Sequence, residues 1–347
     1  MAHGRLWRTA MGTACTLGLA AAALPVHGGT VHHAQRLIGA YPAPPKGPGP
    51  GRLEDWQIGA SQATVGRFGT PHTLSGNSFY VAYSAREHAI YVPTVAGQVM
   101  VLDAGSLAPR GHFTTVSGAR VARAVPEQGL LLVLSRQALV GYSTRTRRQR
   151  FSVDVGGNAL AVSPDGRHAF IGGNADRRIT EIALPSGHIQ RTFPVGHSGD
   201  LVWARGKVFS ADMKTGLMSV LDPRTGHVQA IKTPEVDPHF SYRHIPRAQA
   251  GFMQLAVGAR GRKVYAAGFS GHILAFSAVR DRYLGEVPVD ANPGGPVKLS
   301  GLAIVDHGRE AVATVENLKE TVVVRLADGR IVRTLHGAAS NRWVPVP

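Results

Sequence analysis

ALAVSPDGRHAFIGGNADRRITEIALPSGHIQRTFPVG, from Ala159 to Gly196, decides how this chain is to be read. It contains four short apolar runs with period-two alternation. A polar turn (Ser163-Pro164-Asp165-Gly166), a Gly/Asn/Asp loop (residues 173–176) and a second tight turn (Pro185-Ser186-Gly187) separate them. Proline presets φ at the second position of such a turn and glycine accepts positive φ at its end, so the runs are expected to fold back on one another as antiparallel strands.

Weaker copies of the unit begin near Tyr80, Val121, Leu201, Met253 and Gly301, giving six units spaced by about 40 to 50 residues. Helical periodicity is absent throughout. Repeats of four short antiparallel strands predict an all-β fold, a β-propeller built of four-stranded blades. Two more strands are expected at Glu54–Ile58 and Ala63–Phe68, with a further one around Arg342-Trp343-Val344. Uniting both termini in one blade would close the ring and remove its free edges, so seven blades are favoured, with six as the alternative.

The strongest unit resembles the YVTN-repeat (YncE-like) β-propellers. The resemblance rests on Ser163-Pro164-Asp165-Gly166 followed by Phe170-Ile171-Gly172-Gly173-Asn174, with Tyr91-Val92-Pro93-Thr94 and Tyr265-Ala266-Ala267 answering to the same strand elsewhere. It spans Tyr80 to about Leu335 and implies the scaffold. The motif is structural and transfers no catalytic residue.

Ahead of the repeats, Arg5 and Arg8 precede an uncharged stretch from Ala10 to Leu24, which reads as a secretory signal peptide over residues 1–28. An uncleaved anchor is the alternative. The Pro/Gly-rich sequence PAPPKGPGPG (42–51) leads to the expectation of a spacer over 29–51 and a folded domain over 52–347, in a periplasmic or secreted protein. The single cysteine, Cys15, lies in the apolar stretch. The expected mature chain therefore offers no disulfide, no thiolate metal ligand and no C-x-x-C-H attachment for c-type haem.

Lys plus Arg number 38 against 22 Asp plus Glu, a net charge of +16 that attracts polyanions and acidic partners. So few carboxylates in an exported protein would also suit an acidic medium. Arg145-Thr146-Arg147-Arg148-Gln149-Arg150 is the densest basic run, a candidate for nucleic acid or another polyanion. Its expected place in a turn and outermost strand favours an edge-protecting role.

Propeller geometry sorts the sixteen histidines by face. With strands lettered A to D from the axis outward, the D-to-A and B-to-C loops open on one face, here the loop face. His88, His112, His168, His188, His227 and His307 are expected in or beside A–B or C–D turns, as solvated residues of the opposite face. His72, His197, His239 and His244 fall in D-to-A loops and His272 in a B-to-C loop. Imidazoles converging there would hold a metal, ligate a non-covalent haem or bind an anion when protonated.

The longest inter-blade loop, 233–249, packs Glu235, Asp237, His239, Phe240, Tyr242, Arg243 and His244 together. It is the best single locus for ligand contacts, because binding residues concentrate on long loops of rigid scaffolds. Asp237, His239 and His244 are its metal candidates. No G-x-S-x-G elbow, P-loop or Rossmann pattern occurs.

The expected function is a cofactor-free binding scaffold that takes a small ligand or protein partner on the loop face. One alternative is a periplasmic cofactor-dependent redox enzyme or redox partner of the amine-dehydrogenase or d1-haem kind. The other is polyanion binding through the basic surface.

Overall fold

The computed structural model describes residues 36–41, 51–58, 65–67, 72–74, 77–173, 176–212, 215–236, 251–337, 339–340 and 342–346. These form seven antiparallel sheets. The strongest repeat becomes strands Ala159–Val162, His168–Gly172, Arg178–Ala183 and Ile189–Pro194, paired in chain order. Its first turn closes as the composition dictates. The Gly166 amide donates to the Ser163 carbonyl at 2.9 Å, and Gly166 itself takes φ +68.

The inner strands, Ala82–Ser84, Val121–Val125, Ala159–Val162, Asp200–Ala204, Phe252–Val257, Leu299–Val305 and Trp343–Val346, define blades 1 to 7. Each touches the next, and the last touches the first, so the ring closes with seven blades rather than six. In five blades the C–D ladder slips by one residue, for instance between Glu181 and Ile182, a bulge that increases twist at the outer edge. The apolar faces of neighbouring blades pack together. Phe113 meets Tyr142 with ring centroids 5.0 Å apart across blades 1 and 2, and Phe170 meets Trp203 at 5.5 Å across blades 3 and 4.

Blade 7 joins the two ends of the described chain. Trp343–Val346 pairs with Arg36–Tyr41, which pairs with Arg52–Ile58, and Val65–Arg67 completes the path. The second strand is a correction: Arg36–Tyr41 lies inside the stretch expected to be a spacer, so the propeller begins ahead of Arg52. Leu37, Ile38 and Ala40 are fully buried there, and burial of apolar surface outweighs the proximity of the Pro/Gly run. Arg36 Nε donates to both carboxylate oxygens of buried Asp55 at 2.8 and 3.0 Å, and its NH1 reaches the Ala104 carbonyl of blade 1, fastening the closing blade to its neighbour.

The face opposite the loop face is knitted by turn residues. Arg86 NH1 donates to the Pro126 carbonyl at 2.8 Å, and Thr144 Oγ1 to Glu87 Oε1 at 2.8 Å. From the basic run, Arg147 NH2 donates to the Arg110 carbonyl at 2.9 Å. His168 departs from the solvated role expected of it: its Nδ1 lies 2.9 Å from Oε1 of buried Glu181, whose Oε2 also accepts from Arg191 Nε at 2.9 Å. A carboxylate buried between strands needs partners, and the turn-flanking His168 is within reach.

Candidate functional site

Two clusters lie on the loop face. The first is at the base of the long loop. Thr233 Oγ1 donates to the Gly216 carbonyl at 2.6 Å and accepts from the Glu235 amide at 3.2 Å, laying this segment on the B–C loop of blade 4. Gly216 takes φ +70, and a Cβ there would lie 1.6 Å from the Glu235 carbonyl oxygen, so only glycine permits the contact.

The Glu235 side chain is 1% exposed and accepts from the Gly251 amide at 3.0 Å and the Ser270 amide at 3.3 Å. Ser270 Oγ donates to the same carboxylate and lies 2.7 Å from His272 Nδ1. On the far side of the ring, His272 Nε2 is 3.9 Å from Glu286 Oε1. This is a carboxyl–hydroxyl–imidazole–carboxylate string running from the interior to the surface, and each hydrogen bond in it can reverse direction when a proton moves. The imidazole presents Nδ1 to the serine, and the hydroxyl is already engaged by Glu235.

Burial pushes Glu235 up to about 7, against the pull of the hydrogen bonds from Ser270 and Gly251. The unfolded chain releases this proton near the ordinary 4.5, so between these values the folded protein holds the extra proton. Unfolding free energy therefore falls as pH rises through that window and levels above it, by on the order of 3 kcal/mol from this group. Denaturant titrations at several pH values are expected to show the decline in the native protein and a flatter profile for Glu235→Gln. Parallel profiles would remove Glu235 as its source.

The second cluster lies at the ends of the inner strands. Tyr80, just before the inner strand of blade 1, donates its hydroxyl to Asp200 Oδ2 at 2.7 Å, at the start of the inner strand of blade 4. The same oxygen accepts from the Leu255 amide of blade 5 at 2.8 Å, and Oδ1 from the Leu201 amide at 3.0 Å. Because blades 1 and 4 are not neighbours, the Tyr80–Asp200 bond spans the ring. The Cζ atoms of Arg123 and Arg342 lie 5.3 and 5.2 Å from the Tyr80 ring centroid. Burial raises Asp200 above the ordinary carboxylate range although Arg342, the Leu255 amide, Tyr80 and Arg123 all favour its charge. Tyr80 rises too, first through burial and then through the charge of Asp200. Nearby, Gln254 Oε1 accepts from the Leu302 and Trp343 amides at 2.7 and 2.9 Å, tying blade 5 to blades 6 and 7.

Of the residues expected at a site, His272 is brought together with Glu235. His197 lies on the same face in a separate network, its amide donating to Asp212 Oδ2 at 3.2 Å. His72 falls in the short strand His72–Thr73, paired to Arg52 and Leu53 of blade 7. Asp237, His239, Phe240, Tyr242, Arg243 and His244 lie outside the described residues, as do the proposed signal segment and residues 42–50 of the spacer. Among the described residues no group of three or more His, Cys, Asp and Glu side chains is placed to hold a metal. The second cluster was missed because its members stand alone in sequence.

No protein-family model matches the sequence, and no curated protein matches it. Among solved structures the chain is similar to Kuenenia stuttgartiensis hydrazine synthase, with a TM-score of 0.58 and 12% sequence identity over 72% of this chain and 76% of that one. At that identity the likeness is one of fold.

Proposed function

We propose that this is an exported, non-catalytic propeller that binds a ligand or protein partner on its loop face, through the segment 237–250 and the His272 string beside it. The observation that carries the reading is the closed base of that segment. The Glu235 carboxylate accepts the Gly251 amide, so the chain leaves and rejoins the scaffold at one buried point next to Ser270 and His272. A long loop anchored at its root to a rigid ring is a common way to present binding residues.

A thermal-shift screen of metabolites, metal ions and haem tests the reading, since a ligand raises native stability in proportion to ln(1 + [L]/Kd). At about 100 Kd the expected rise is several degrees. It should vanish when 237–250 is replaced by a short Gly/Ser linker and shrink in His272→Ala. A shift untouched by both changes overturns the placement. A Soret band or stoichiometric metal in protein purified from its natural source, lost in His239→Ala and His244→Ala, overturns the cofactor-free reading in favour of a redox role.

A further inference from the structure

Arg120 and Arg136 flank the A–B hairpin of blade 2. Val121 pairs with Leu134, and the Arg120 amide donates to the Leu134 carbonyl at 2.9 Å, so both arginines stand just outside the strands at the loop-face end. Arg120 Cζ lies 5.1 Å from the Phe79 ring centroid, while its buried Nε has no hydrogen-bond partner. Arg136 is exposed, and no carboxylate pairs with either residue among the described residues. Burial and then the charge of Arg136 depress the Arg120 guanidinium. Arg123, three positions further on, belongs to the opposite face of the strand: its Cζ lies 5.3 Å from the Tyr80 ring centroid and its Nε donates to the Leu160 carbonyl at 3.3 Å.

This arrangement is costly for a protein that needs only to fold. A buried donor without an acceptor and two like charges side by side both disfavour the native state. A guanidinium pair with free donors is also the geometry that receives a carboxylate or phosphate by paired N–H···O bonds.

We propose that Arg120 and Arg136 form a binding site for a small free oxyanion, a phosphate- or carboxylate-bearing molecule with two or more negative charges. The site rests on the reading of the loop face as the ligand face and specifies the chemistry of that ligand. The Phe79 ring packs against the Arg120 guanidinium.

Isothermal titration of the full chain with inorganic pyrophosphate and with citrate, at about 150 mM salt to screen diffuse attraction, tests it. One anion per chain is expected, bound at least about tenfold more weakly by Arg136→Ala. Arg145→Ala, which removes the same charge from the C–D turn on the opposite face, should bind as the native protein does. Unliganded Arg136→Ala should unfold at an equal or higher denaturant midpoint, because the charge opposing Arg120 is gone. A lower midpoint would make Arg136 a structural residue and overturn the proposal.

Several anions per chain, or equal weakening by both variants, would show diffuse attraction to the +16 surface and overturn the site. If neither probe binds while a ligand dependent on 237–250 still registers by thermal shift, the oxyanion site falls and the binding reading stands. If neither probe binds and no such ligand registers, both fall.

Discussion

Trp343→Ala is expected to lower the free energy of unfolding by about 4 kcal/mol, a large share of what holds a domain of this kind together. The indole is 1% exposed, and its Nε1 donates to Thr314 Oγ1 of blade 6 at 2.8 Å. Its backbone amide donates to Gln254 Oε1 at 2.9 Å, while its carbonyl accepts from Gln254 Nε2 at 2.9 Å. Trp343 also begins the strand that pairs with Arg36–Tyr41 and closes the ring. Truncation to alanine leaves a cavity at the seam where the ring is fastened and removes the indole donor from Thr314 Oγ1, which keeps its bonds to the Ser340 carbonyl and the Thr321 hydroxyl. Equilibrium unfolding in denaturant measures the effect, with Pro345→Ala as the control: Pro345 is exposed on the same strand and should change stability by less than about 1 kcal/mol. A Trp343→Ala loss no larger than that of the control would show that the closing strand contributes little.

Asp200→Ala is expected to cost about 3–5 kcal/mol. The carboxylate is 1% exposed and is the acceptor for the Tyr80 hydroxyl and the Leu255 and Leu201 amides. Without it those donors are stranded, and the positive charges of Arg123 and Arg342 beside the Tyr80 ring lose the Asp200 carboxylate. Asp200→Asn keeps the shape and one acceptor, so its loss should be smaller. Tyr80→Phe should cost about 1 kcal/mol. A double-mutant cycle on Tyr80 and Asp200 should show coupling of about 1 kcal/mol or more, because both groups share one buried hydrogen bond. Additive effects would mean that the bond across the ring contributes nothing to holding it.

The loop face divides into what local sequence exposes and what it conceals. The long loop stood out because 233–249 interrupts an otherwise regular spacing, and Glu235 and His272 were both placed on one face by counting strands. Their connection through Ser270 was not legible. Ser270 lies 35 residues from Glu235 and reads as an ordinary turn serine until blade 5 brings it under the loop. The second cluster is more hidden still, since Tyr80 and Asp200 are 120 residues apart and neither belongs to a motif. Arg120 and Arg136 were masked by the abundance of arginine, with a denser run only a few residues downstream.

The all-β class, the four-stranded blade and the assignment of loops to the two faces were legible in the chain's local pattern. These follow from period-two alternation and from turn residues acting over a few positions, and such local preferences repeat with every unit. The same pattern also pointed to both termini sharing a blade, because leftover strands at each end have no other edge to cover. That Arg36–Tyr41 supplies the strand between them emerges from the folded ring alone, since a six-residue segment beside a Pro/Gly run gains its stability from burial there rather than from its own propensity. Closure of the ring brought together side chains from blades 1, 2, 4 and 7 with a backbone amide of blade 5, and fixed which charges lie together. That outcome depends on distances across a circle, to which spacing along the chain is blind.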